Sequence, residues 1–232
     1  MTSRPAVIAF ARAPVAGRAK TRLIPALGPE GAAELYRCFL LDTLERLREQ
    51  PAGIVIAVAD PDDIVPLSKV INSLDLSAEL VVQTGAALGE RLCNAVRYAF
   101  SRGHSAAVVI GTDSPDLPPG LIRRALDLVV SHDLVLGPCS DGGYYLIGLR
   151  AVIPSLFRDI AWSSETVLSA TVERATQLGL VIALLDPWCD VDTPADLLLL
   201  RERLTRQVLA GGRIPCPRTW DCLCDLPEGE GA

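Results

Sequence analysis

Histidine is almost missing from this chain of 232 residues, which contains only His104 and His132. No serine or cysteine lies in a recognisable nucleophile turn either, so the sequence disfavours acyl transfer through a catalytic triad. No apolar run approaches the roughly 20 residues that span a membrane. The first run, at residues 6–11, is too short for a signal peptide and is followed directly by Arg12. These absences predict a cytoplasmic protein without a membrane partner.

Cysteine spacing typical of a structural site is also missing. The seven cysteines are scattered and odd in number, and together with two histidines they supply no zinc-ligand spacing. We therefore expect reduced thiols rather than a disulfide framework or a zinc site.

Basic residues are outnumbered, with 22 Lys and Arg against 28 Asp and Glu and a net charge of −6. A nucleic-acid partner is disfavoured, because nucleic-acid binders usually carry a basic excess. The charge is unevenly spread, however: the first 29 residues hold five cations and no acid. This cationic front end of an acidic protein requires its own explanation.

Short runs rich in Val and Ile alternate with amphipathic segments. The strand-like runs lie at residues 6–11, 53–59, 79–84, 106–112, 133–138, 144–149 and 179–186. The helix-like segments lie at residues 29–50, 88–102, 120–131, 164–178 and 193–209. Runs that are apolar on both faces are typical of strands covered on both sides. The pattern predicts an α/β fold, a single-domain three-layer α/β/α architecture with a mostly parallel, doubly wound sheet of about seven strands.

One domain is expected over residues 1–210, because no linker rich in Pro or Gly divides this part of the chain. Residues 211–232 lose the periodicity and are interpreted as a C-terminal tail or arm. Trp220 and Leu223 could attach this arm to the body of the domain or to a second subunit in a homodimer.

The loop after the first strand concentrates positive charge. Ligands of open parallel sheets bind beyond the carboxyl ends of the strands, and the loop at residues 12–22 can aim N–H groups and cations at a phosphate chain. Anion binding is favoured over a solvated basic loop. The loop matches neither the Walker A pattern nor G-x-G-x-x-G, so a dinucleotide oxidoreductase ranks low. The residues selected as phosphate ligands are Arg12, Gly17, Arg18, Lys20 and Arg22.

Carboxylates follow the fourth strand and the last strand. Asp113 emerges at the end of a buried strand and suits a divalent cation, whereas Asp116 either assists it or only shapes the turn. In the second segment, Thr193, Pro194 and Asp196 form a helix-capping pattern. Asp190 and Asp192 are not needed for that cap, and their spacing in extended chain points both to one side. They form a second source of metal ligands.

A turn-like segment, Asp141-Gly142-Gly143, joins two strand-like runs. It has the composition of a hairpin turn. Glycine backbone also lets a substrate approach closely, and the two interpretations carry nearly equal weight.

Six segments of the sequence together resemble a known superfamily. They are ARAPVAGRAKTRL, LGERL, GTDSPDLP, GPCSDGGYYLIGL, WSSETVL and DVDTPADL, in this order. Over about residues 5–205 the set resembles the nucleotide-diphospho-sugar transferase (GT-A-like) superfamily. Within it, the chain is most similar to the DUF2064 family, also called radical-SAM/selenodomain-associated transferase 1 and assigned as candidate glycosyltransferases. The guanylyltransferases for phospholactate and molybdopterin and the cytidylyltransferases are more distant relatives by the same signature.

The resemblance implies roles for individual residues. Lys20 would be the main charge contact to the nucleotide phosphates, and Gly17 would allow their close approach. Asp113 would be the metal aspartate of the fourth-strand loop and Asp192 the second metal ligand, with Asp190 as a substitute. Lys20, Asp113 and Asp192 are thus the implied catalytic residues. The loop at residues 12–22, here called the front loop, departs from the family pattern G-G-x-S-x-R-x-G. No residue is therefore assigned to recognition of the nucleotide base.

Further residues are implied around the substrates. Glu90 and Arg91 would line the nucleotide pocket. For Trp162, packing in the core is an equally weighted alternative to a role in the acceptor site. The residues implied at the acceptor or sugar are Asp141, Gly142, Gly143, Trp162 and Ser163.

These features predict a transferase that uses Mg²⁺ or Mn²⁺ and acts on a nucleotide. The leading hypothesis is nucleotidyl transfer from a nucleoside triphosphate to a small phosphate- or carboxylate-bearing acceptor, with release of pyrophosphate. It is favoured because Lys20 and its neighbouring arginines supply more positive charge than a sugar diphosphate needs. Glycosyl transfer from a nucleotide-diphospho-sugar is the alternative within the same fold. A non-catalytic nucleotide-binding regulator is the third hypothesis.

Overall fold

The computed structural model describes residues 3–225, and the strands in this range form one seven-stranded sheet. They are β1 (Ala6–Ala11), β2 (Gly53–Val58), β3 (Glu79–Val82), β4 (Ala107–Ile110), β5 (Leu134–Pro138), β6 (Tyr144–Leu149) and β7 (Ile182–Leu184). Their order across the sheet is β3-β2-β1-β4-β6-β5-β7. Each predicted strand is present, and β1, β2, β4 and β5 are almost entirely buried because helices cover both faces.

All pairs of neighbouring strands are parallel except the two pairs that include β6. Strand β1 pairs in parallel with β2 and β4, β2 with β3, and β5 with β7. Strand β6 runs antiparallel to β4 and β5. Residues 139–143 connect β5 to β6, and a connection this short forms a hairpin rather than a crossover. The prediction of a mostly parallel sheet is confirmed, and the hairpin accounts for the exception.

Seven helices surround the sheet within residues 3–225. They are α1 (Ile24–Arg48), α2 (Ile64–Ser73), α3 (Leu88–Ser101), α4 (Pro119–Leu128), α5 (Val167–Gln177), α6 (Pro194–Leu209) and α7 (Pro217–Asp225). The sequence-based prediction does not include α2 or α7, which are both short and carry a proline in the first turn. In α1 the backbone leaves the helical conformation at Gly28 (φ 69°), just before the predicted start at residue 29. None of the helices described is long and apolar enough to cross a membrane.

Two apolar layers sandwich the sheet, and a third cluster lies beside them. One layer packs α1, α2 and α4 on the sheet through side chains such as Leu44, Leu67 and Ile122. The other packs α3 and α5 through side chains such as Val96 and Ala175. These layers confirm the doubly wound α/β/α architecture.

The third cluster joins the front loop and α1 to α6 and α7 through buried side chains. Its members include Leu23, Phe39, Leu200, Cys216 and Leu223. It therefore connects the loop after β1 to the last part of the described chain.

Part of the segment interpreted as a tail or arm is the helix α7, and it packs on α1. Thr219 is fully buried and donates from its backbone N–H (2.8 Å) and from Oγ1 (2.7 Å) to Asp42 Oδ2. Arg218 pairs with the same acid at 3.3 Å and with Glu45 at 2.5 Å. Leu223 is buried in the third cluster, with Trp220 packed against it. Residues 226–232 of the predicted arm lie outside the described range.

Candidate active site

Three loops meet at the carboxyl edge of the sheet. They follow β1, β4 and β7, and the strand order reverses between β1 and β4, where open sheets of this type bind ligands. The backbone N–H of Val191, after β7, donates to the carbonyl of Asp113, after β4, at 2.9 Å. A pocket of about 330 Å³ opens beside these loops, between β1, β4, β6 and the start of α3.

Lys20 connects the three loops. Its backbone is in the left-handed region (φ 46°, ψ 47°), which is unusual for a residue other than glycine and ends the loop before a short 3-10 turn. The Nζ atom lies 2.6 Å from Asp113 Oδ1 and 2.8 Å from Asp192 Oδ1, and it donates to the carbonyl of Val191 at 2.7 Å. The structure thus brings the three predicted catalytic residues together around one ammonium group.

The lysine is enclosed, but its two acids remain open. The Lys20 side chain is 4% exposed, whereas Asp113 is 39% and Asp192 47% exposed. Burial alone would lower the pKa of Lys20, but the charges of Asp113 and Asp192 outweigh it and raise the pKa above its usual value. Lys20 therefore stays protonated, and both carboxylates keep oxygen lone pairs directed to solvent.

Asp190 lies beside this pair of acids and differs from them. Its Oδ1 accepts a hydrogen bond from Ser114 Oγ at 2.5 Å. Burial, followed by the negative charge of Asp113, raises the pKa of Asp190 to about 6, although the Ser114 hydrogen bond acts in the opposite direction. Of the three predicted metal ligands, only Asp113 and Asp192 contact Lys20.

A hydrogen-bonded tyrosine supports the floor of the pocket. Tyr36 of α1 is 3% exposed, shares a hydrogen bond with Thr112 Oγ1 (2.8 Å) and accepts one from the backbone N–H of Arg12 (3.2 Å). Burial and the nearby Asp113 raise the pKa of Tyr36 to about 12. In the sequence, the helical spacing of Tyr36 with Leu40, Leu44 and Leu47 places it on the apolar face of α1. Its hydroxyl was the only signal of a second role, and the 76-residue separation from Thr112 concealed the partner.

The other residues of the front loop occupy different surroundings. Arg12 lines the pocket and donates to the carbonyl of Arg18 at 3.2 Å. The Arg18 side chain pairs with Asp60 and Asp63, at 3.7 and 3.4 Å, beyond β2. Gly17 has a positive φ of 78°, which favours glycine, and a Cβ there would contact nothing within 4 Å. Arg22, the fifth predicted phosphate ligand, is exposed.

The first turn of α3 separates the predicted pair Glu90 and Arg91. Arg91 lines the pocket and donates from Nε to the carbonyl of Gly85 at 3.1 Å. Glu90 accepts from the backbone N–H of Ala86 at 2.7 Å and faces a neighbouring groove. Only Arg91 of this pair therefore lines the pocket beside Lys20.

Trp162 lies in that neighbouring groove, on the other side of the first turn of α3. It packs on Gly89, where an added Cβ would come within 2.6 Å of the indole, and its ring centroid lies 6.4 Å from that of Phe157. Ser163 beside it is exposed, with a positive φ of 65°. The tryptophan is thus packed on one side and lines an open groove of about 550 Å³ on the other.

Residues 141–143 form a hairpin turn between β5 and β6, as one of the two interpretations of this segment predicts. Asp141 Oδ1 accepts from the backbone N–H of Gly143 at 3.0 Å, which closes the turn. Gly142 has a φ of 85°, and an added Cβ would lie 2.0 Å from the carbonyl oxygen of Glu165. The carbonyl of Gly142 accepts from the N–H of Leu168 at 2.8 Å. This turn is therefore fixed against the segment that follows Trp162.

Asp116 shapes the loop after β4 rather than opening towards the pocket. It is 4% exposed and pairs with Arg203 Nε of α6 at 2.8 Å. Trp188 Nε1 also donates to it, at 3.4 Å. The surroundings of Asp116 therefore match the alternative in which it shapes the turn, rather than the one in which it assists Asp113 in holding a cation.

The donor set suits a metal ion shared with substrate. Within residues 3–225 no three His, Cys, Asp or Glu side chains form a cage for a metal ion. Asp113 and Asp192 supply two open carboxylates, and Mg²⁺ is commonly held by one or two carboxylates together with substrate phosphates. The residues therefore fit a divalent cation that arrives with, or is completed by, a phosphate chain.

The fold is that of the nucleotide-diphospho-sugar transferases. A solved structure from Desulfovibrio desulfuricans G20, described as a candidate nucleotide-diphospho-sugar transferase, superposes with a TM-score of 0.86 and 33% identity. The match covers 97% of this chain and 95% of that chain. The family model DUF2064, "Uncharacterized protein conserved in bacteria", matches residues 43–164. The chain belongs to the DUF2064 family, and these relatives bear out the expected enzyme class, a transferase.

More distant structures share the fold alone. CMP:2-keto-3-deoxy-manno-octonic acid synthetase, solved with CTP, gives a TM-score of 0.56 at 13% identity and covers 88% of this chain and 100% of that chain. The 4-diphosphocytidyl-2C-methyl-D-erythritol synthase of Anaerococcus prevotii DSM 20548 gives 0.58 at 11% identity, with 88% and 99% covered. A search of curated protein sequences found no match to this chain.

Proposed function

We propose that this protein is a nucleotidyltransferase that uses Mg²⁺ or Mn²⁺ held by Asp113 and Asp192. The observation that carries the proposal is the buried ammonium of Lys20, within 2.8 Å of both carboxylates at the edge of the pocket. A phosphate or carboxylate oxygen of the acceptor attacks the α-phosphorus of a nucleoside triphosphate. The bond from that phosphorus to the bridging oxygen breaks, and pyrophosphate leaves with the electron pair.

The charges of the site support this chemistry. Phosphoryl chemistry requires mainly positioning and stabilisation of negative charge, and little covalent participation by the protein. Asp113 and Asp192 would hold the cation, which would supply positive charge to the phosphates. Arg12 and Arg91 line the same pocket as Asp113, and Lys20 lies behind the two acids. Lys20 is already held in place, so little reorganisation is required when charge develops.

The pocket of about 330 Å³ beside Lys20 suits the nucleoside part of the substrate. Its walls combine apolar strand residues with Gln83, whose Nε2 donates to the carbonyl of Ala57 at 2.8 Å. The amide is therefore held at the pocket wall, where it can contact a base. The proposed partners are a nucleotide and a small acceptor.

Glycosyl transfer from a nucleotide-diphospho-sugar is the second candidate. It is favoured by the relative from Desulfovibrio desulfuricans G20, described as a candidate nucleotide-diphospho-sugar transferase. In either reaction we assign the acceptor or sugar to the side of the site formed by the 139–143 hairpin and the groove of Trp162. The residues proposed there are Asp141, Gly142, Gly143, Trp162 and Ser163.

The test separates the two reactions by their products. The protein is incubated with Mg²⁺, a cell extract as acceptor source, and either α-³²P-labelled nucleoside triphosphates or nucleotide-sugars labelled in the sugar. Nucleotidyl transfer moves the α-phosphate label to an acceptor and releases pyrophosphate. Glycosyl transfer releases a nucleoside diphosphate. If neither triphosphates nor nucleotide-sugars give an acceptor-dependent product or raise the melting temperature, the proposal is wrong.

The role of Lys20 can be tested against a matched control. The chain contains only one other lysine, Lys69, which is exposed on α2. We expect Lys20→Met to lower turnover by about 100-fold or more, since it removes a preorganised charge at the reacting phosphates. Lys69→Met should retain full activity. Equal activity of the two variants would contradict the role given to Lys20, provided that both melt cooperatively.

A further inference from the structure

Two cysteines from distant parts of the chain share one groove. Cys38 lies on α1 and Cys222 on α7, and both line a groove of about 550 Å³ where the two helices pack. Cys38 is 5% exposed, and Cys222 is half-buried. Both are free thiols. The proposed transferase chemistry uses neither of them.

The two thiols lie close enough in this groove for each to alter the pKa of the other. The interaction with Cys38 lowers the pKa of Cys222, whereas the interaction with Cys222, together with burial, raises the pKa of Cys38. The Cys38 thiol is also directed at Glu34 Oε1, at 4.0 Å. Cys222 is therefore the more acidic of the two thiols.

The charges around the pair are mixed. Arg37 favours the Cys222 thiolate, whereas Glu34 and Asp225 oppose it. Arg218 and Asp221 also line the groove. A half-buried thiol of lowered pKa beside a second thiol is the arrangement found at redox-active cysteine pairs.

We propose that Cys38 and Cys222 form a redox modification site at which a hydroperoxide converts the two thiols into a disulfide between α1 and α7. The Cys222 thiolate attacks the O–O bond of the peroxide, giving a sulfenic acid and releasing hydroxide, or an alcohol from an organic peroxide. The Cys38 sulfur then displaces the sulfenic oxygen as water. Overall, two thiols lose two hydrogens and the peroxide is reduced.

The other cysteines lack this combination of exposure and partner. Burial raises the pKa of Cys139, Cys189 and Cys216, which makes all three poor nucleophiles. Cys93 is buried and contacts Arg97 Nη2 at 3.6 Å. Cys224 is exposed, but two residues along a helix is about 200° of rotation, so it points away from the face that carries Cys222.

A disulfide at this position would act on the site through α7. Thr219 of α7 is bonded to Asp42 of α1. In addition, Arg46 of α1 donates hydrogen bonds both to the segment before α7 and to the loop after β4. Arg46 Nη2 donates to the carbonyl of Pro215 at 3.1 Å and also to the carbonyl of Pro115, two residues from Asp113. Fixing α7 covalently to α1 therefore stiffens the support of the loop that carries Asp113.

The test uses the full chain, treated with hydrogen peroxide and then alkylated and digested under non-reducing conditions. We expect one intramolecular cross-link, between the peptides that contain Cys38 and Cys222, which dithiothreitol reverses. Oxidation should raise the midpoint of thermal unfolding by on the order of 5–10 °C, because the bond closes a long loop. Cys224→Ser should retain the cross-link and the shift, and Cys38→Ser and Cys222→Ser should lose both.

Three results would overturn the proposal. One is wild-type protein in which Cys38 remains fully alkylatable after peroxide treatment. Another is a cross-link that involves Cys224 or joins two chains in place of the pair. The third is a Cys38–Cys222 disulfide that leaves the unfolding midpoint unchanged. The wild-type measurements decide the matter even if a serine variant fails to fold, and they require no nucleotide, so they are independent of the proposed transferase reaction.

Discussion

Asp113 and Asp116 lie three residues apart in one loop, and each is paired with a cation, but their surroundings are opposite. At Asp113 the lysine is enclosed, at 4% exposure, and the carboxylate is open, at 39%. At Asp116 the carboxylate is enclosed, at 4%, and Arg203 is the more open partner, at 27%. An open carboxylate retains acceptor sites for a further ligand, whereas an enclosed one has used them on protein donors. The exposure of the acid, rather than the ion pair itself, distinguishes the proposed metal ligand Asp113 from the structural contact of Asp116.

The largest expected effect comes from breaking the enclosed pair. Asp116→Ala leaves Arg203 without its carboxylate and Trp188 Nε1 without an acceptor. We expect the free energy of unfolding to fall by about 3–5 kcal/mol, as found when one partner of a buried pair is removed. Denaturant titration measures it. Asp127→Ala is the control, because it breaks a surface pair with Arg123, and a comparable loss there would contradict the contrast drawn from exposure.

The second effect concerns binding rather than stability. Asp113→Asn removes one charge from the open pair, while Asp192 still neutralises Lys20. We expect turnover in the nucleotide assay to fall by about 100- to 1,000-fold, with a smaller loss of unfolding free energy than in Asp116→Ala. The increase in melting temperature that Mg²⁺ gives in the presence of nucleotide should also disappear. An Asp113→Asn protein that keeps this Mg²⁺ effect would show that Asp113 does not hold the ion. Asp127→Asn is the control and should keep the effect.

The smallest effect tests how the backbone that carries Asp192 is supported. Thr193 caps α6 in a capping box with Asp196, whose Oδ2 also accepts from the backbone N–H of Asp192 at 3.2 Å. We expect Thr193→Ala to cost about 1 kcal/mol of unfolding free energy. Thr205→Ala, at an exposed position of the same helix, is the matched control. Equal melting curves for the two variants would show that the capping hydrogen bond does not stabilise this end of α6.

Periodicity predicted the sheet because its strands are short, apolar and buried on both faces. The seven runs and the five long amphipathic segments correspond to strands and helices of the structure. The capping box at Thr193 was also predictable, since all of its partners lie within four residues. The direction of β6 was signalled only by the turn at residues 141–143, and α2 and α7 carry too few turns for a clear pattern.

The site was predictable as an edge of the sheet but not as a set of contacts. Strand topology brings the loop of Lys20 and the loop of Asp113 to neighbouring positions, so their proximity followed from the fold. Nothing local distinguishes Asp113 from Asp116, because the partner that encloses Asp116 is 87 residues away. For the same reason the orientation of Arg18 towards Asp60 and Asp63 was not apparent from the front loop itself.

The contact between Lys20 and Asp192 has a consequence for how the protein is made. The two residues are 172 positions apart, and the segment of Val191 is also bonded to the loop of Asp113. A chain emerging from the ribosome therefore cannot complete this cluster until most of its length has been synthesised, and until then the lysine lacks its second acid. Contacts between such distant segments slow folding, because a long loop must close before they form. Assembly of the cluster of Lys20, Asp113 and Asp192 is thus one of the last events in the synthesis of the protein, after β1 and β4 have become available to pair.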